Sequence, residues 1–266
     1  MLDLHTFQRA ERATGGFDTT VWHLEQNRRH YALRVFRANQ LTTLRRELVA
    51  LRAARGGGVP VPRVHAIGTY DARPALLMEW SSGRPLLDEV RAHPRGLLTL
   101  GVRFGRCQAA IHRIAAPGEL RANWIDWAGP LDSPLRAHLD RVSAAPFRRL
   151  LHLDFHPLNV LVDHGRISSV LDWTNAHAGD ARADFARTAT ILRLSPPRGS
   201  ASERVGRLLL ELGWRFGYGG PGPDMAPFYV WAGTAMLHDL GGRFDAAELA
   251  HVRRWTNAWR SKIVSP

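Results

Sequence analysis

The stretch His152-Leu153-Asp154-Phe155-His156-Pro157-Leu158-Asn159-Val160-Leu161 carries the most informative chemistry of this 266-residue sequence. It is followed by Val170-Leu171-Asp172-Trp173, a second apolar run that ends in an aspartate. Asp154 lies 5 residues before Asn159 and 18 residues before Asp172. A tight polar loop followed by a hairpin strand that ends in Asp172 would bring these three side chains around one point.

Two carboxylates and an amide in this arrangement suit phosphoryl transfer. Such a site needs a carboxylate that orients and deprotonates the accepting hydroxyl, and Asp154 fits that role. It also needs hard oxygen ligands for the magnesium ions that neutralise the phosphates, and Asn159 and Asp172 offer them. The loop therefore predicts a catalytic carboxylate at Asp154 and magnesium ligands at Asn159 and Asp172.

Composition places the chain among ordinary globular proteins, with 45% hydrophobic and 23% charged residues. No stretch reaches the roughly 18 to 20 uninterrupted apolar residues of a membrane span. The first residues carry Asp3, Arg9 and Glu11 where a signal peptide would be apolar. Cys107 is the only cysteine, which excludes an internal disulfide. We therefore expect a cytoplasmic protein that does not interact with membranes.

The net charge of +12 raises the question of nucleic-acid binding. Lys262 is the single lysine among 36 basic residues, a bias that reflects coding preference more than recognition chemistry. No basic run exceeds two residues, as in Arg45-Arg46, so the charges read as solvated faces and not as a binding tail. We expect no specific nucleic-acid partner. The sequence leaves the oligomeric state open.

The first 80 residues follow the pattern of an antiparallel sheet with one inserted helix. Alternating apolar residues predict five strands, and residues 41–55 carry leucines at helical spacing. Asn27-Arg28-Arg29 is typical of a hairpin turn. In the third strand Arg34 points away from the face that carries Leu33. The five predicted strands are residues 7–13, 19–25, 31–36, 64–68 and 75–80.

After residues 81–83 the pattern changes to helices. Residues 98–115 form the clearest one, and His112 on it is expected to pack. Four amphipathic segments follow the catalytic stretch, near 182–193, 202–216, 225–239 and 246–262. The sequence thus predicts an α+β fold in two lobes. Residues 1–80 form the N-terminal lobe, 81–83 the hinge, and 84–266 a larger, mainly helical lobe with the catalytic loop and the acceptor site.

These motifs resemble the aminoglycoside phosphotransferase and choline kinase family, which has a bilobal protein-kinase-like fold. The family pattern His-Gly-Asp, four residues, then Asn matches His152, Asp154 and Asn159, with Leu153 in place of glycine. Asp172-Trp173 matches the downstream metal-binding motif. The resemblance implies that Asp172 binds magnesium and that Asp184 braces the catalytic loop.

The resemblance also implies a nucleotide site for ATP or another nucleoside triphosphate in the N-terminal lobe. Arg34 matches the basic residue that grips the α- and β-phosphates, and Glu47 matches the helix glutamate that holds it. Arginine stands where lysine is usual. Gly15-Gly16 resembles the loop that covers the phosphates. Backbone groups near Glu79 and Ser81 match the hinge that pairs with adenine.

Two other classes of function remain open for the same residues. His152, Asp154 and His156 could form a metal-dependent hydrolase site completed by Asp172 or Asp180, although this leaves Asn159 and the N-terminal pattern without a role. A non-catalytic nucleotide-binding module would accommodate Arg34 and Leu153, although it leaves Asp154, Asn159 and Asp172 together without a purpose. The resemblance favours an ATP- and magnesium-dependent small-molecule kinase.

The acceptor hydroxyl is not identified by any motif. Trp124, Asp126 and Trp127 could form a stacking and hydrogen-bonding wall for a sugar or another ring. Residues 117–150 carry four acidic and five basic side chains, so they are not the acidic surface that a polycation needs. We therefore expect a small hydroxylated acceptor that is neutral or modestly cationic. Isolated carboxylates such as Asp224 or Asp239 could still converge on it.

Overall fold

The computed structural model describes residues 7–13, 19–143, 148–194 and 201–263, with 201–204 described by backbone alone. The N-terminal part is an antiparallel sheet of β1 (Arg9–Arg12), β2 (Thr20–Gln26), β3 (Arg29–Val35), β4 (Val64–Tyr70) and β5 (Arg73–Glu79). The strand order is β1-β2-β3-β5-β4, and helix α1 (Leu41–Gly56) connects β3 to β4. The predicted five strands and inserted helix are confirmed.

The β2–β3 hairpin fixes which way Arg34 points. Its two turn residues, Asn27 and Arg28, have φ angles of 51° and 61°. Two-residue hairpin loops of this type require positive φ at both central positions. The turn pairs Gln26 with Arg29 and, further along, Val21 with Arg34. Leu33 therefore packs in the small cluster on one face of the sheet, and Arg34 projects from the other.

The rest of the chain is mainly helical, with short hairpins around the catalytic stretch. Two of these strands, β7 (Arg149–Leu151) and β10 (His177–Gly179), pair with each other. A three-stranded sheet has the order β6-β8-β9, formed by β6 (Arg84–Pro85), β8 (Val160–Asp163) and β9 (Arg166–Val170). The helices are α2 (Leu86–Ala92), α3 (Leu97–Ile111), α4 (Ser133–Val142), α5 (Ala181–Leu194), α6 (Ala201–Tyr218), α7 (Ala226–Leu240) and α8 (Ala250–Arg260).

The predicted hinge, residues 81–83, lies between the end of β5 and the start of β6. Backbone and side-chain bonds join the two parts of the chain near it. Val170 donates its N–H to Pro60 at 2.8 Å, and the Ser81 hydroxyl donates to the Ser169 hydroxyl at 2.9 Å. These contacts fix the end of β9, and with it Asp172, relative to the N-terminal sheet.

Helices α3 and α6 pack against each other through glycines. A Cβ at Gly105 would lie 2.0 Å from the backbone oxygen of Trp214, and one at Gly217 would lie 2.1 Å from that of Val102. Gly101 and Gly213 make similarly close approaches. Because these positions have no side chains, the two helix backbones come close enough for α6 to reach the catalytic loop. No helix in the described ranges is long and apolar enough to cross a membrane.

Candidate active site

The catalytic loop runs from β7 to β8 and contains a residue in a left-handed conformation. Leu153, which stands where the family pattern has glycine, has a φ of 60°. A side chain at positive φ costs on the order of 1 kcal/mol. The Leu153 side chain is fully buried, and its N–H donates to Asp184 Oδ1 at 2.9 Å. Burial and this bond offset the strain, which is how leucine replaces glycine here.

Asp184, on α5, holds the catalytic loop by accepting hydrogen bonds from its backbone. Besides Leu153, it accepts the N–H of His152 on Oδ2 at 2.7 Å. Oδ2 also lies 3.0 Å from His112 Nε2, and His112 Nδ1 lies 2.7 Å from the Tyr218 hydroxyl. Burial opposes ionisation of Asp184, but the bond and charge of His112 outweigh it, so its pKa is lowered. Tyr218 on α6 is thus linked to the catalytic loop through two side chains.

A second buried chain of hydrogen bonds runs parallel to the first. Trp214 Nε1 donates to Gln108 Oε1 at 2.8 Å, and Gln108 Nε2 donates to the Thr188 hydroxyl at 2.8 Å. Thr188 in turn donates to the carbonyl of Phe155, next to Asp154, at 2.9 Å. Satisfied buried networks of this kind rigidify the structure around them. The loop is therefore held at Leu153 and at Phe155, on both sides of Asp154.

Asp154 and Asn159 are in direct contact within the loop. Asn159 Nδ2 donates to the Asp154 carbonyl at 3.0 Å and to its carboxylate Oδ2 at 3.3 Å. His156 Nε2 lies 3.5 Å from Asp154 Oδ1. Burial favours the protonated form of Asp154 and so acts to raise its pKa. The hydrogen bond and charge of His156, together with the charge of Arg187, outweigh burial, so the pKa is lowered. The carboxylate is ionised at neutral pH.

Asp172 follows directly after the strand that pairs with the end of the loop. Val160 of β8 is opposite Val170 of β9, and Leu171 donates its N–H to the Asn159 carbonyl at 2.8 Å. Asp172 is therefore the residue immediately after Leu171, which is bonded to Asn159 through the backbone. Its φ of 59° turns the chain at this point. Burial opposes ionisation of Asp172, but the charge of Arg34 outweighs it and lowers its pKa.

Arg34 joins the N-terminal sheet, α1 and Asp172. Its Nη1 lies 2.7 Å from Glu47 Oε1, its Nη2 lies 2.9 Å from Asp172 Oδ1, and its Nε donates to the Thr19 hydroxyl at 3.1 Å. Glu47 is 1% exposed. Burial raises the pKa of Glu47 to about 7, although the charge of Arg34 acts in the opposite direction. The planar guanidinium makes these three bonds at once, which a lysine ammonium does not do in the same geometry.

The remaining predicted nucleotide residues lie at the end of β5, just after it, or outside the described ranges. Glu79 ends β5, its N–H donates to the Arg63 carbonyl at 2.8 Å, and its side chain is exposed. The Glu79 N–H is therefore already paired within the sheet region and is not free to pair with a base. Ser81 follows two residues later and contacts Ser169. Gly15 and Gly16 fall within residues 14–18, outside the described ranges.

Both ring nitrogens of His152 form hydrogen bonds that hold the catalytic loop. Its Nδ1 accepts the Asp154 N–H at 3.2 Å, and its Nε2 lies 2.9 Å from the Leu171 carbonyl. Burial lowers the pKa of His152, so the ring stays neutral. Across the part of the chain that the structure describes, no three His, Cys, Asp or Glu side chains form a group that could hold a metal ion. Both observations count against the hydrolase alternative.

The donor set around Asp172 does fit magnesium. It offers a carboxylate on Asp172 and an amide oxygen on Asn159, both hard oxygen ligands, just beyond the paired ends of β9 and β8. Asn159 uses its amide nitrogen in the contact with Asp154, which leaves its amide oxygen on the other side of the group. Mg²⁺ keeps several waters and needs only one or two such protein ligands beside substrate phosphates.

The proposed acceptor wall is only partly present. Trp124 is 2% exposed and packs against Phe228 and Trp231, so it is a core residue. Trp127 is half-buried, and its Nε1 donates to Asp239 at 2.9 Å. Asp126 is exposed and lies 2.7 Å from Arg136 Nη1. The burial of Trp124 removes it from the predicted wall, while Trp127 and Asp126 stay accessible and are paired with Asp239 and Arg136.

Several residues that hold the site were missed or underrated by the sequence interpretation. His112 is buried, as predicted, and is in addition a partner of Asp184, while Gln108, Thr188 and Tyr218 carry no signal of their own in the sequence. Arg187 is 6% exposed, is bonded to Asp239 and affects Asp154 through its charge. Isolated polar residues on amphipathic helices give no pattern that marks them as buried partners. Only their position in three dimensions reveals these roles.

Comparison with known proteins gives the family. A model of a phosphotransferase enzyme family matches residues 9–148 and 131–219. Hygromycin-B 4-O-kinase of Escherichia coli is 49% identical over 39 residues, which are 15% of this chain and 11% of that protein. The uncharacterized protein YcbJ of Bacillus subtilis (strain 168) is 44% identical over 46 residues, 17% of this chain and 15% of that protein. These alignments span only a small part of either curated relative.

Solved structures share the fold over nearly the whole chain. The crystal structure of aminoglycoside phosphotransferase APH(4)-Ia has a TM-score of 0.69 and 18% identity, covering 98% of this chain and 96% of that one. A thermostable mutant of that enzyme, in a ternary complex with AMP-PNP and hygromycin B, has a TM-score of 0.67 and 18% identity, covering 97% and 95%. The predicted α+β kinase-like fold is confirmed. Because the family model covers most of its length, this chain belongs to the phosphotransferase enzyme family.

Proposed function

We propose that this protein is an ATP-dependent O-phosphotransferase that moves the γ-phosphate of ATP to a hydroxyl of a small molecule. The observation that carries the proposal is a pair of contact sets, Glu47–Arg34–Asp172 and Asn159–Asp154, which the backbone bond from Leu171 to Asn159 joins. They support a site in which a basic residue, two oxygen ligands and an ionised carboxylate act on one phosphate. The ternary complex of the solved relative with AMP-PNP supports a nucleotide in this fold.

In this reaction the acceptor oxygen attacks the γ-phosphorus as the bond to the β-phosphate oxygen breaks, and ADP leaves. Asp154 orients the acceptor hydroxyl and accepts its proton, a role that its ionised state permits. Arg34 donates to the α- and β-phosphates, with Glu47 holding the guanidinium in position. Asp172 and Asn159 would hold Mg²⁺, which neutralises phosphate charge when bound.

The acceptor we propose is small, hydroxylated and neutral or modestly cationic. The solved relative binds hygromycin B, which makes aminoglycosides the first class to compare. In this chain the two acidic side chains nearest the predicted wall are already paired, Asp126 with Arg136 and Asp239 with Arg187. A polycation needs unpaired carboxylates to concentrate it. Efficient phosphorylation of kanamycin-like compounds at physiological salt would contradict this part of the proposal.

The test is ADP release from ATP and Mg²⁺ across a panel of hydroxylated metabolites and antibiotics. With any acceptor found, Asp154→Asn should lower turnover by about a hundredfold to ten-thousandfold, because it removes the proton acceptor. Nucleotide affinity should stay nearly unchanged, because Asp154 acts on the acceptor. Asp71→Asn is the matched control, since Asp71 is exposed in the β4–β5 turn with a φ of 50°, which asparagine adopts readily.

The results separate the candidate functions. Near-normal turnover in Asp154→Asn would refute the assignment of the catalytic carboxylate. ATP binding without ADP release for any acceptor, and without an effect of Asp154→Asn, would favour the non-catalytic nucleotide-binding module. That alternative draws its support from the replacement of the usual lysine and glycine by Arg34 and Leu153.

A further inference from the structure

Helix α6 presents a row of large apolar side chains to solvent. The residues of this α6 row are between 40% and 78% exposed, and they are Val205, Leu208, Leu209, Leu212 and Phe216. Their spacing of three and four residues places them on one face of the helix, over a length of about 16 Å. Exposed apolar residues scattered singly are normal, but a contiguous row on one helix marks an interaction surface.

The α6 row is not needed to hold α6 in place, because the flank and the opposite face of the helix do this. Gly213 and Gly217 pack against the backbone of α3. Trp214 is fully buried, and Glu211, 6% exposed, is bonded to Arg215 at 2.9 Å. The same inner face carries Tyr218, which reaches the catalytic loop through His112. Among the residues that the structure describes, the outer row therefore holds no other element in place.

The exposed area of the α6 row is large enough for a protein interface. Leu98, at 54% exposure, extends it, since the carbonyl of Leu98 lies against Gly213 of α6. With about 150 to 200 Å² for each fully exposed side chain, the six residues expose on the order of 500 to 600 Å². Pairing two such surfaces buries roughly 1,000 to 1,200 Å², the lower limit for a specific interface before flanking residues are counted.

We propose that the α6 row is the interface of a symmetric homodimer in which two α6 helices pack antiparallel. A twofold axis between positions 210 and 211 places Val205, the smallest side chain of the row, opposite Phe216, the largest. It also places Leu209 opposite Leu212 of the second copy. Complementary sizes of this kind fill an interface without voids. A second copy is the occupant because the row is complementary to itself in this register.

The proposed dimer keeps both active sites accessible. The interface lies on the face of α6 opposite to Trp214 and Tyr218, which bond to Gln108 and His112. It is independent of the proposed phosphotransferase function, since no residue of the α6 row touches Asp154, Asp172 or Arg34 in the described contacts. A failure of one proposal therefore leaves the other intact.

The first experiment measures the molar mass of the purified full chain by light scattering and sedimentation from 1 to 100 µM. The wild-type chain should have the mass of a dimer. Leu212→Glu should raise the dimer dissociation constant by about a hundredfold or more, because each dimer would bury two unpaired carboxylates. Ile67→Glu is the matched control: Ile67 is 48% exposed on β4, far from the row in sequence, and should leave the dimer unchanged. Circular dichroism melts establish that both variants are folded.

The second experiment tests the register by cross-linking. When Leu209→Cys chains are mixed with Leu212→Cys chains, they should form a disulfide-linked dimer under mild oxidation. The dimer should form faster in the mixture than with either variant alone, and faster than with Ile67→Cys. A wild-type chain that is monomeric at 100 µM would overturn the proposal. So would a dimer that Leu212→Glu leaves intact, or a monomer that binds anionic vesicles through the α6 row, which would assign the row to a membrane surface.

Discussion

Removing Arg34 should make the stability of the protein depend on pH in a way that identifies Glu47 as its partner. Arg34 and Glu47 are 9% and 1% exposed, and their charged atoms are 2.7 Å apart. Arg34→Met would keep most of the side-chain volume and remove the charge. Because Arg34 lowers the pKa of Glu47, the pKa of Glu47 in the variant should rise above its wild-type value of about 7.

The size of the effect follows from linkage between protonation and folding. In the unfolded chain Glu47 ionises near pH 4.5. Above that pH, as long as Glu47 stays protonated in the folded protein, the free energy of unfolding falls by about 1.4 kcal/mol per pH unit. In the wild-type protein this loss stops near pH 7, where folded Glu47 also ionises. In Arg34→Met it continues up to the higher pKa. The stability difference between the two proteins should therefore widen by roughly 1 to 2 kcal/mol between pH 7 and pH 9.

The assay is urea unfolding from pH 5 to pH 9, followed by the fluorescence of the nine tryptophans. Arg34→Met also removes the charge that lowers the pKa of Asp172, so a second variant is needed to isolate the contribution of Glu47. Adding Glu47→Gln to Arg34→Met should abolish the widening. Arg9→Met is the matched control, since the Arg9–Glu11 ion pair is 65% and 56% exposed and should give no pH-dependent difference. A difference that is constant from pH 7 to pH 9, or that persists with Glu47→Gln, would refute the reasoning.

Two further predictions concern the metal ligands and the helix pair. Asp172→Ala should raise the magnesium requirement of ADP release more than Asn159→Ala does, because a charged oxygen ligand binds the cation more strongly than an amide; the opposite ranking in magnesium titrations would contradict the assignment. Gly105→Ala should destabilise the fold by about 1 to 3 kcal/mol, because its Cβ would lie 2.0 Å from the backbone oxygen of Trp214. Gly118→Ala, with nothing within 4 Å, should melt like the wild type in the same thermal scans.

Sequence reasoning was most successful where chemistry is local. The catalytic stretch and Asp172 are close in sequence, and the hairpin that joins them sets their distance through paired β-strands. Alternation of apolar residues also predicted that Arg34 and Leu33 point to opposite faces. Periodicity and turn residues act over a few positions, so a sequence pattern is enough to read them.

The residues that hold the catalytic loop could not be read in this way. The bonds of Gln108 and His112 to α5 span 80 and 72 positions of sequence, and the bonds from α6 to these two residues span 106. From the sequence Trp124 could belong either to an acceptor wall or to the core, and its packing against Phe228 and Trp231 places it in the core. Long-range packing decides which polar side chains become buried hydrogen-bond partners. The residues next to them in sequence form no pattern that predicts this.

The sequence by itself determined the family and the α+β fold and predicted the candidate catalytic residues, because each depends on residue types at short, fixed spacings. The tertiary structure decided that one guanidinium bonds to both Glu47 and Asp172, which lie 13 and 138 positions from Arg34. It also decided which face of α6 is left exposed, because the glycines of α3 and α6 determine which sides of the two helices meet. Those outcomes depend on how distant backbones approach each other, and that approach is fixed only when the whole chain packs.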